Sequence, residues 1–246
     1  MALTDKVEIP RRTMTLFFVI DASGSMEGSK IGAVNAAIEE VIPALKEVSD
    51  ENADAQIKVA VLEFSSGARW ITDGGPVEVD QFYWNYMDAG GVTDLGAACK
   101  ALNEKLSTKG FMREATGSFA PAIFLMSDGE PTDDWQRGID QLKENNWFKA
   151  GVKVAVAIGD DANKDVLKAF TGSMEAVLET HSTAVLKKMI KFVSIRASQV
   201  ASKSSGVSDS QGGDMGDEQK QAELNTALQE FTKEVAVAPD NDQGDW

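Results

Sequence analysis

Apolar residues fall in short, nearly unbroken runs separated by helix-length amphipathic stretches. The runs at 14–20 (MTLFFVI), 57–64 (IKVAVLEF), 69–72 (RWIT), 122–127 (AIFLMS), 152–158 (VKVAVAI) and 175–179 (EAVLE) predict six strands. Several are continuous rather than alternating, as expected where helices cover both faces of a sheet. Helices are predicted at 29–49, 95–107, 134–146, 163–170 and 182–200. In the first, Ile31, Val34, Ile38, Ile42 and Leu45 recur at steps of three and four, and Pro43 predicts a kink or a break. Val185, Leu186, Met189, Ile190 and Val193 form the stripe of the last.

Strands alternating with helices indicate an α/β fold with right-handed crossovers. Only SSGA separates 57–64 from 69–72, which is too short for a crossover, so that pair forms a hairpin. The expected domain is a doubly wound, Rossmann-like six-stranded sheet, mostly parallel with one antiparallel edge strand and helices on both faces. It spans about residues 1–200. Beyond it, SKSSGVSDSQGGDMGDEQKQ reads as a flexible linker, and 201–246 as an acidic tail. Within the tail, Leu224, Leu228, Phe231 and Val235 give a short amphipathic helix near 217–236, suited either to its own domain or to a partner's groove.

The formal net charge is −15, and residues 197–246 hold ten acids against three bases. A surface this acidic does not bind nucleic acid or anionic membranes. No run is long enough to cross a bilayer, MALTDKVEIPRR lacks a secretory pattern, and the one cysteine, Cys99, forms no internal disulfide or Cys-based zinc site. The expected location is the cytoplasm.

Against this background LFFVIDASGSM, at 16–26, stands out. A buried-strand pattern runs directly into Asp21, Ser23 and Ser25, three oxygen-bearing side chains spaced two apart. GGVTD at 90–94 and SDGEPTDD from 127 lie at comparable places, next to predicted strand or helix ends. In an open parallel sheet such segments converge beyond the carboxyl ends of the strands. Hydroxyls from Ser23, Ser25 and Thr93 with carboxylates from Asp21 and Asp128 suit a hard divalent cation. Mg²⁺ is the first expectation, with Mn²⁺ or Ca²⁺ as alternatives. Neutral oxygens leave the ion a strong Lewis acid, open to an anionic oxygen from outside. Trp84, Tyr86, Glu130 and Trp135 are candidates for a partner-binding rim, because Tyr and Trp dominate interface hot spots. Core packing competes for the aromatics, and Asp133 and Asp134 read as caps of the helix that follows them.

DASGSM, GGVTDL and LMSDGEPTDDW resemble the von Willebrand factor A domain, whose metal-ion-dependent adhesion site uses Asp-x-Ser-x-Ser, a Thr and an Asp. Asp21, Ser23, Ser25, Thr93 and Asp128 match those positions, and the likeness spans about residues 13–196. The resemblance implies a metal held by the hydroxyls, aspartates acting often through water, and a partner's Asp or Glu completing the shell. In several members the last helix moves on binding. The wording DGEPTDDW and GGVTDLGAAC is similar to the bacterial TerY-like subfamily of tellurium-resistance and chemical-stress operons. That likeness implies kinase- or phosphatase-like partners.

The expected function is therefore a non-enzymatic interaction module that captures an acidic residue through its metal. Rivals are a metal-dependent hydrolase and a module autoinhibited by its own tail. The only histidine, His181, precedes the last helix, and neither a Gly-x-Ser-x-Gly elbow nor a Walker phosphate loop occurs. Asp161-x-Asn163-x-Asp165 fails as a calcium loop, since Val166 stands where glycine is obligatory.

Overall fold

The computed structural model describes residues 11–53, 55–113, 117–202 and 214–237. Strand β1 (Arg12–Asp21) is central, pairing in parallel with β2 (Ala55–Ser65) on one side and β5 (Ala122–Ser127) on the other. Beyond β5 lie β6 (Val152–Ile158) and β7 (Val177–Thr180), both parallel. Along the outer edge of β2 run β3 (Gly67–Trp70) and β4 (Val77–Glu78), both antiparallel to it. Among the described residues the sheet thus has seven strands in the order β3-β2-β1-β5-β6-β7, with β4 beside β2. The predicted hairpin is present. The additional strand, β4, is two residues long, too short to leave a periodic signature.

Alternation within each strand explains the two helical layers. Met14, Leu16, Phe18 and Ile20 face one side with Val59, Val61, Phe124 and Val154, covered by α1 (Ser29–Glu51) and α6 (Thr183–Ala201). Phe17, Val19, Leu62, Ile123, Leu125 and Ala155 face the other, under α2 (Leu95–Lys105), α3 (Trp135–Lys143) and α5 (Lys164–Thr171). Helix α1 runs unbroken through Pro43. That residue is exposed, so water can serve the carbonyl whose amide partner proline lacks. The segment expected as one helix at 134–146 is divided: Asn145 caps the short α4 (Asn146–Ala150), its side chain accepting from the Trp147 and Phe148 amides.

Helix α7 (Asp214–Val237) docks on its own domain. Leu224 and Leu228 are fully buried, and Phe231 stacks on Phe192 of α6 with ring centroids 4.2 Å apart. The Gln221 side chain accepts from the Lys153 amide at 2.8 Å and donates to the Lys153 carbonyl at 3.0 Å. It thereby satisfies the start of β6, where β7 does not reach. This docking lies at the amino end of β6, away from the carboxyl ends where the predicted site gathers. The expected linker, SKSSGVSDSQGGDMGDEQKQ, is helical from 214 onward as the first turns of α7; its part at 203–213, the N-terminal ten residues and the last residues of the tail lie outside the described residues.

Candidate metal centre

The site forms where strand order reverses, between the carboxyl ends of β1 and β5. Strand β1 stops at Asp21, and Ala22 still donates to the Phe64 carbonyl of β2. A single 3-10 turn, Gly24–Met26, then swings the chain across the sheet end, anchored by the fully buried Met26. Gly90 donates to the Ala22 carbonyl at 2.8 Å and Gly24 to the Gly91 carbonyl at 3.1 Å, which stitches the first loop to the segment carrying Thr93. Gly91 has φ +84°, and a Cβ there would lie 2.6 Å from Ser66 Oγ; only glycine meets both conditions without strain.

The structure gathers the five predicted residues around one point. Ser23 Oγ and Ser25 Oγ are 3.1 Å apart, and Ser25 donates to Asp128 Oδ1 at 2.7 Å. A Cβ built on Gly129 would lie 3.5 Å from Ser25 Oγ and 3.8 Å from Thr93 Oγ1, so both hydroxyls border the space which that glycine leaves open. Asp21 Oδ1 accepts from the Ser23 amide at 2.9 Å, and Oδ2 from Ser127 Oγ at 2.6 Å. Asp21, Asp128, Ser23 and Thr93 are buried, whereas Ser25 is exposed. The cluster is held firmly from beneath and remains reachable from outside.

A second set of contacts fixes Thr93. The Thr132 amide donates to the Thr93 carbonyl at 2.8 Å, and Thr132 Oγ1 accepts from the Thr93 amide at 3.1 Å. Asp133 was expected to cap α3, but it caps α2: its two carboxylate oxygens accept from the Gly96 and Ala97 amides, each at 2.9 Å. Gly96 permits that approach, since a Cβ there would lie 2.8 Å from Asp133 Oδ2. Only Asp134 caps α3, accepting from the Arg137 amide at 3.4 Å. The polar run after Asp128 thus serves the Thr93 segment, a long-range role that a local capping pattern does not reveal.

Burial pushes the Asp21 carboxyl above its ordinary value, and the nearby charge of Asp128 adds to the rise, against hydrogen bonds from Ser127 and Ser23 that lower it. Two carboxylates this close and this dry call for a positive charge. Part of it comes from Lys30, whose Nζ lies 2.5 Å from Asp128 Oδ2. Among the described residues no group of three or more His, Cys, Asp or Glu side chains could hold a metal, so a cation at Asp21 and Asp128 needs neutral oxygen donors beside them, and the hydroxyls are at hand. The donor set fits a hard divalent ion, with three hydroxyls, two carboxylates and the open space at Gly129.

The candidate rim is mixed. Tyr86 is 63% exposed and donates to Glu39 at 2.6 Å. Glu130 is exposed and accepts from Asn163 at 2.6 Å. Trp84 and Trp135 lean inward instead. Trp84 is half-buried and donates through its indole to Asn35, and Trp135 packs against the α2–α5 core. Val92, between Gly91 and Thr93, is 47% exposed and joins the rim. Sequence reasoning missed Lys30, Ser127, Thr132 and Asp133. Ser127 alone left a trace, as a hydroxyl closing an otherwise apolar strand.

No curated protein matches the chain. Solved structures match its fold. A von Willebrand factor type A protein from Catenulispora acidiphila is 19% identical with a TM-score of 0.56, covering 76% of this chain and 43% of its own. Proximal thread matrix protein 1 from the mussel byssus, solved with a zinc-occupied MIDAS motif, is 18% identical with a TM-score of 0.56, covering 77% and 48%. The ArnB paralog VWA2 from Sulfolobus acidocaldarius is 18% identical with a TM-score of 0.54, covering 73% and 44%. In each case this chain spans less than half the length of the protein it resembles. A family model described as the von Willebrand factor type A domain matches residues 15–192, which runs from within β1 through the sheet and its flanking helices to about the middle of α6. The chain belongs to the von Willebrand factor type A domain family.

Proposed function

We propose that this protein is a non-catalytic interaction module. It binds a divalent cation, Mg²⁺ first, through Ser23, Ser25 and Thr93 with Asp21 and Asp128, and presents it to a carboxylate of a protein partner. The observation that carries this reading is the convergence of those five side chains, four buried and Ser25 exposed, at the switch point of the sheet. Zinc in the MIDAS motif of the mussel relative supports a cation there. When bound, the ion supplies Lewis acidity toward an incoming oxygen. The chain's own groups would position it: Ser25 gives its proton to Asp128, which leaves its oxygen free to act as an acceptor, while the Thr132 and Asp133 contacts hold the Thr93 segment in place. Tyr86, Val92 and Glu130 would then meet the partner around the ion.

The hydrolase alternative finds less support, because the carboxylate that Ser25 meets, Asp128, is already paired with Lys30. His181 is exposed and pairs with Asp160 at 3.3 Å and Glu179 at 3.6 Å, while the partner of Ser25 is Asp128. Tail autoinhibition is disfavoured for α7, which is occupied at the amino end of β6. The wording of GGVTDLGAAC and DGEPTDDW supports a place in a cytoplasmic chemical-stress complex of the tellurium-resistance kind. Kinase- or phosphatase-like proteins are the partners to try first.

Calorimetric titration with Mg²⁺ and Mn²⁺ tests the site. Ser25→Ala and Thr93→Ala should each weaken cation binding by about tenfold or more, with the circular dichroism of the folded domain retained. Affinities equal to wild type would refute the assignment. A pull-down that captures the same acidic partner with and without chelator would refute metal-mediated capture.

A further inference from the structure

We propose that Lys30 is the counter-ion of the metal-free site, and that a divalent cation binds by exchanging with it. This rests on the reading of the site given above. The Lys30 ammonium sits 2.5 Å from Asp128 Oδ2, with the lysine side chain 13% exposed and the aspartate fully buried. The other oxygen of that carboxylate accepts from Ser25, one of the cation's hydroxyls. Lys30 therefore neutralises the same charge that the metal would use.

The fold of α1 does not account for a lysine at this position. Lys30 is the second residue of the helix, where the positive end of the dipole disfavours a cation. Its charge is placed there against the helix and in favour of Asp128. A divalent ion and a retained ammonium would face each other across one carboxylate, in a place too dry for water or salt to screen them well. One must leave. Lysine is suited to leaving, as a single point charge on a flexible four-carbon stem. Glu27, Gly28 and Ser29 beside it are exposed, so the stem has open water to swing into. Exchange also explains how two buried carboxylates persist without metal. The ion must displace an existing pair, so cation affinity is set below what the donor set alone would give.

Acylation footprinting of the full chain reads the exchange directly. The protein is treated with an N-hydroxysuccinimide acetate reagent with and without saturating Mn²⁺, then digested and analysed by mass spectrometry. Exposed Lys46 and Lys168 serve as internal references. Lys30 should be modified slowly without metal and several-fold faster with it, while the references stay constant. In calorimetry, Lys30→Met and Lys30→Gln should bind Mn²⁺ about tenfold more tightly than wild type, and should show a larger metal-induced rise in Tm. If wild type binds Mn²⁺ while Lys30 stays protected, or if both variants bind no more tightly, exchange is wrong and the site reading stands. If wild type and both variants bind no Mn²⁺ at all, the site reading falls and the exchange with it.

Discussion

Asp133 offers the sharpest test of how the fold holds the site. Its carboxylate accepts from two amides at the start of α2, Gly96 and Ala97, each at 2.9 Å. Hydrogen bonds to a charged group contribute about 1.5–3 kcal/mol each, and loss of a helix cap costs about 0.5–2 kcal/mol. Gly96 is buried, so its amide would be left without a partner, whereas the half-buried Ala97 amide can recover water. These terms overlap and do not add, so we expect Asp133→Ala to destabilise the domain by about 2–4 kcal/mol. Asp133→Asn keeps one acceptor oxygen and loses the charge, which sets its cost at about 1–2 kcal/mol. Asp134→Asn should cost under about 1 kcal/mol, because that carboxylate is exposed and its one capping bond is 3.4 Å long. Urea denaturation of the metal-free proteins ranks the three. The same variants titrated with Mn²⁺ report the consequence for Thr93, which lies three residues before Gly96. An Asp133→Asn midpoint equal to wild type, or a larger loss for Asp134→Asn, would refute the cross-loop cap.

Two further outcomes follow from other parts of the structure. Gly91→Ala must adopt φ near +84° and move Ser66 Oγ away from a 2.6 Å contact, so it should lose about 2–3 kcal/mol by urea denaturation. Placing it on a Ser66→Ala background should recover the share due to the clash, and a wild-type midpoint for Gly91→Ala would count against the close approach of the loops. Lys153 is the pH probe: burial pushes its ammonium down from 10.5 to about 8, against the nearby charge of Asp217. Between those values the unfolded chain binds more protons than the folded one, so stability should rise with pH across about 8 to 10.5. The gain is about 3 kcal/mol at most. Lys153→Met should abolish that rise in thermal melts taken across the window, and an unchanged slope would refute it.

The layered sheet was legible because apolar runs in a buried parallel sheet are long and continuous, and the helices between them keep a regular stripe. The gathering of Asp21, Ser23, Ser25, Thr93 and Asp128 was legible for a related reason: each sits in a short polar run beside the end of a predicted strand or helix, where topology alone brings loops together. What escaped reading lacks such a signal. Strand β4 makes only two register pairs, at Lys58 with Glu78 and Val59 with Val77. Pro43 reads as a breaker, yet its exposed position lets α1 continue. Asp133 has a good local explanation as a cap for α3, and its true partners lie 36 and 37 residues earlier. Lys30 looks like any helical lysine, since its partner is 98 residues away. Local propensity is readable from neighbours in the chain, but the pairing of a charge across loops is decided only when the sheet has brought those loops together.

The same distinction explains why the site is built mainly from hydroxyls. Two carboxylates, Asp21 and Asp128, already strain the charge balance of a dry pocket, as the raised Asp21 shows. A third acid would deepen that imbalance in the metal-free protein beyond what one lysine can neutralise. Hydroxyls from Ser23, Ser25 and Thr93 add donors for a cation without adding charge, so the domain can fold with the site assembled before any ion arrives. The price is affinity, because neutral oxygens hold a cation less firmly than carboxylates. Replacing Thr93 by Asp tests this balance. The variant should bind Mn²⁺ more tightly than wild type yet unfold at lower urea without metal, and a variant as stable as wild type in chelator would show that charge did not limit the donor set.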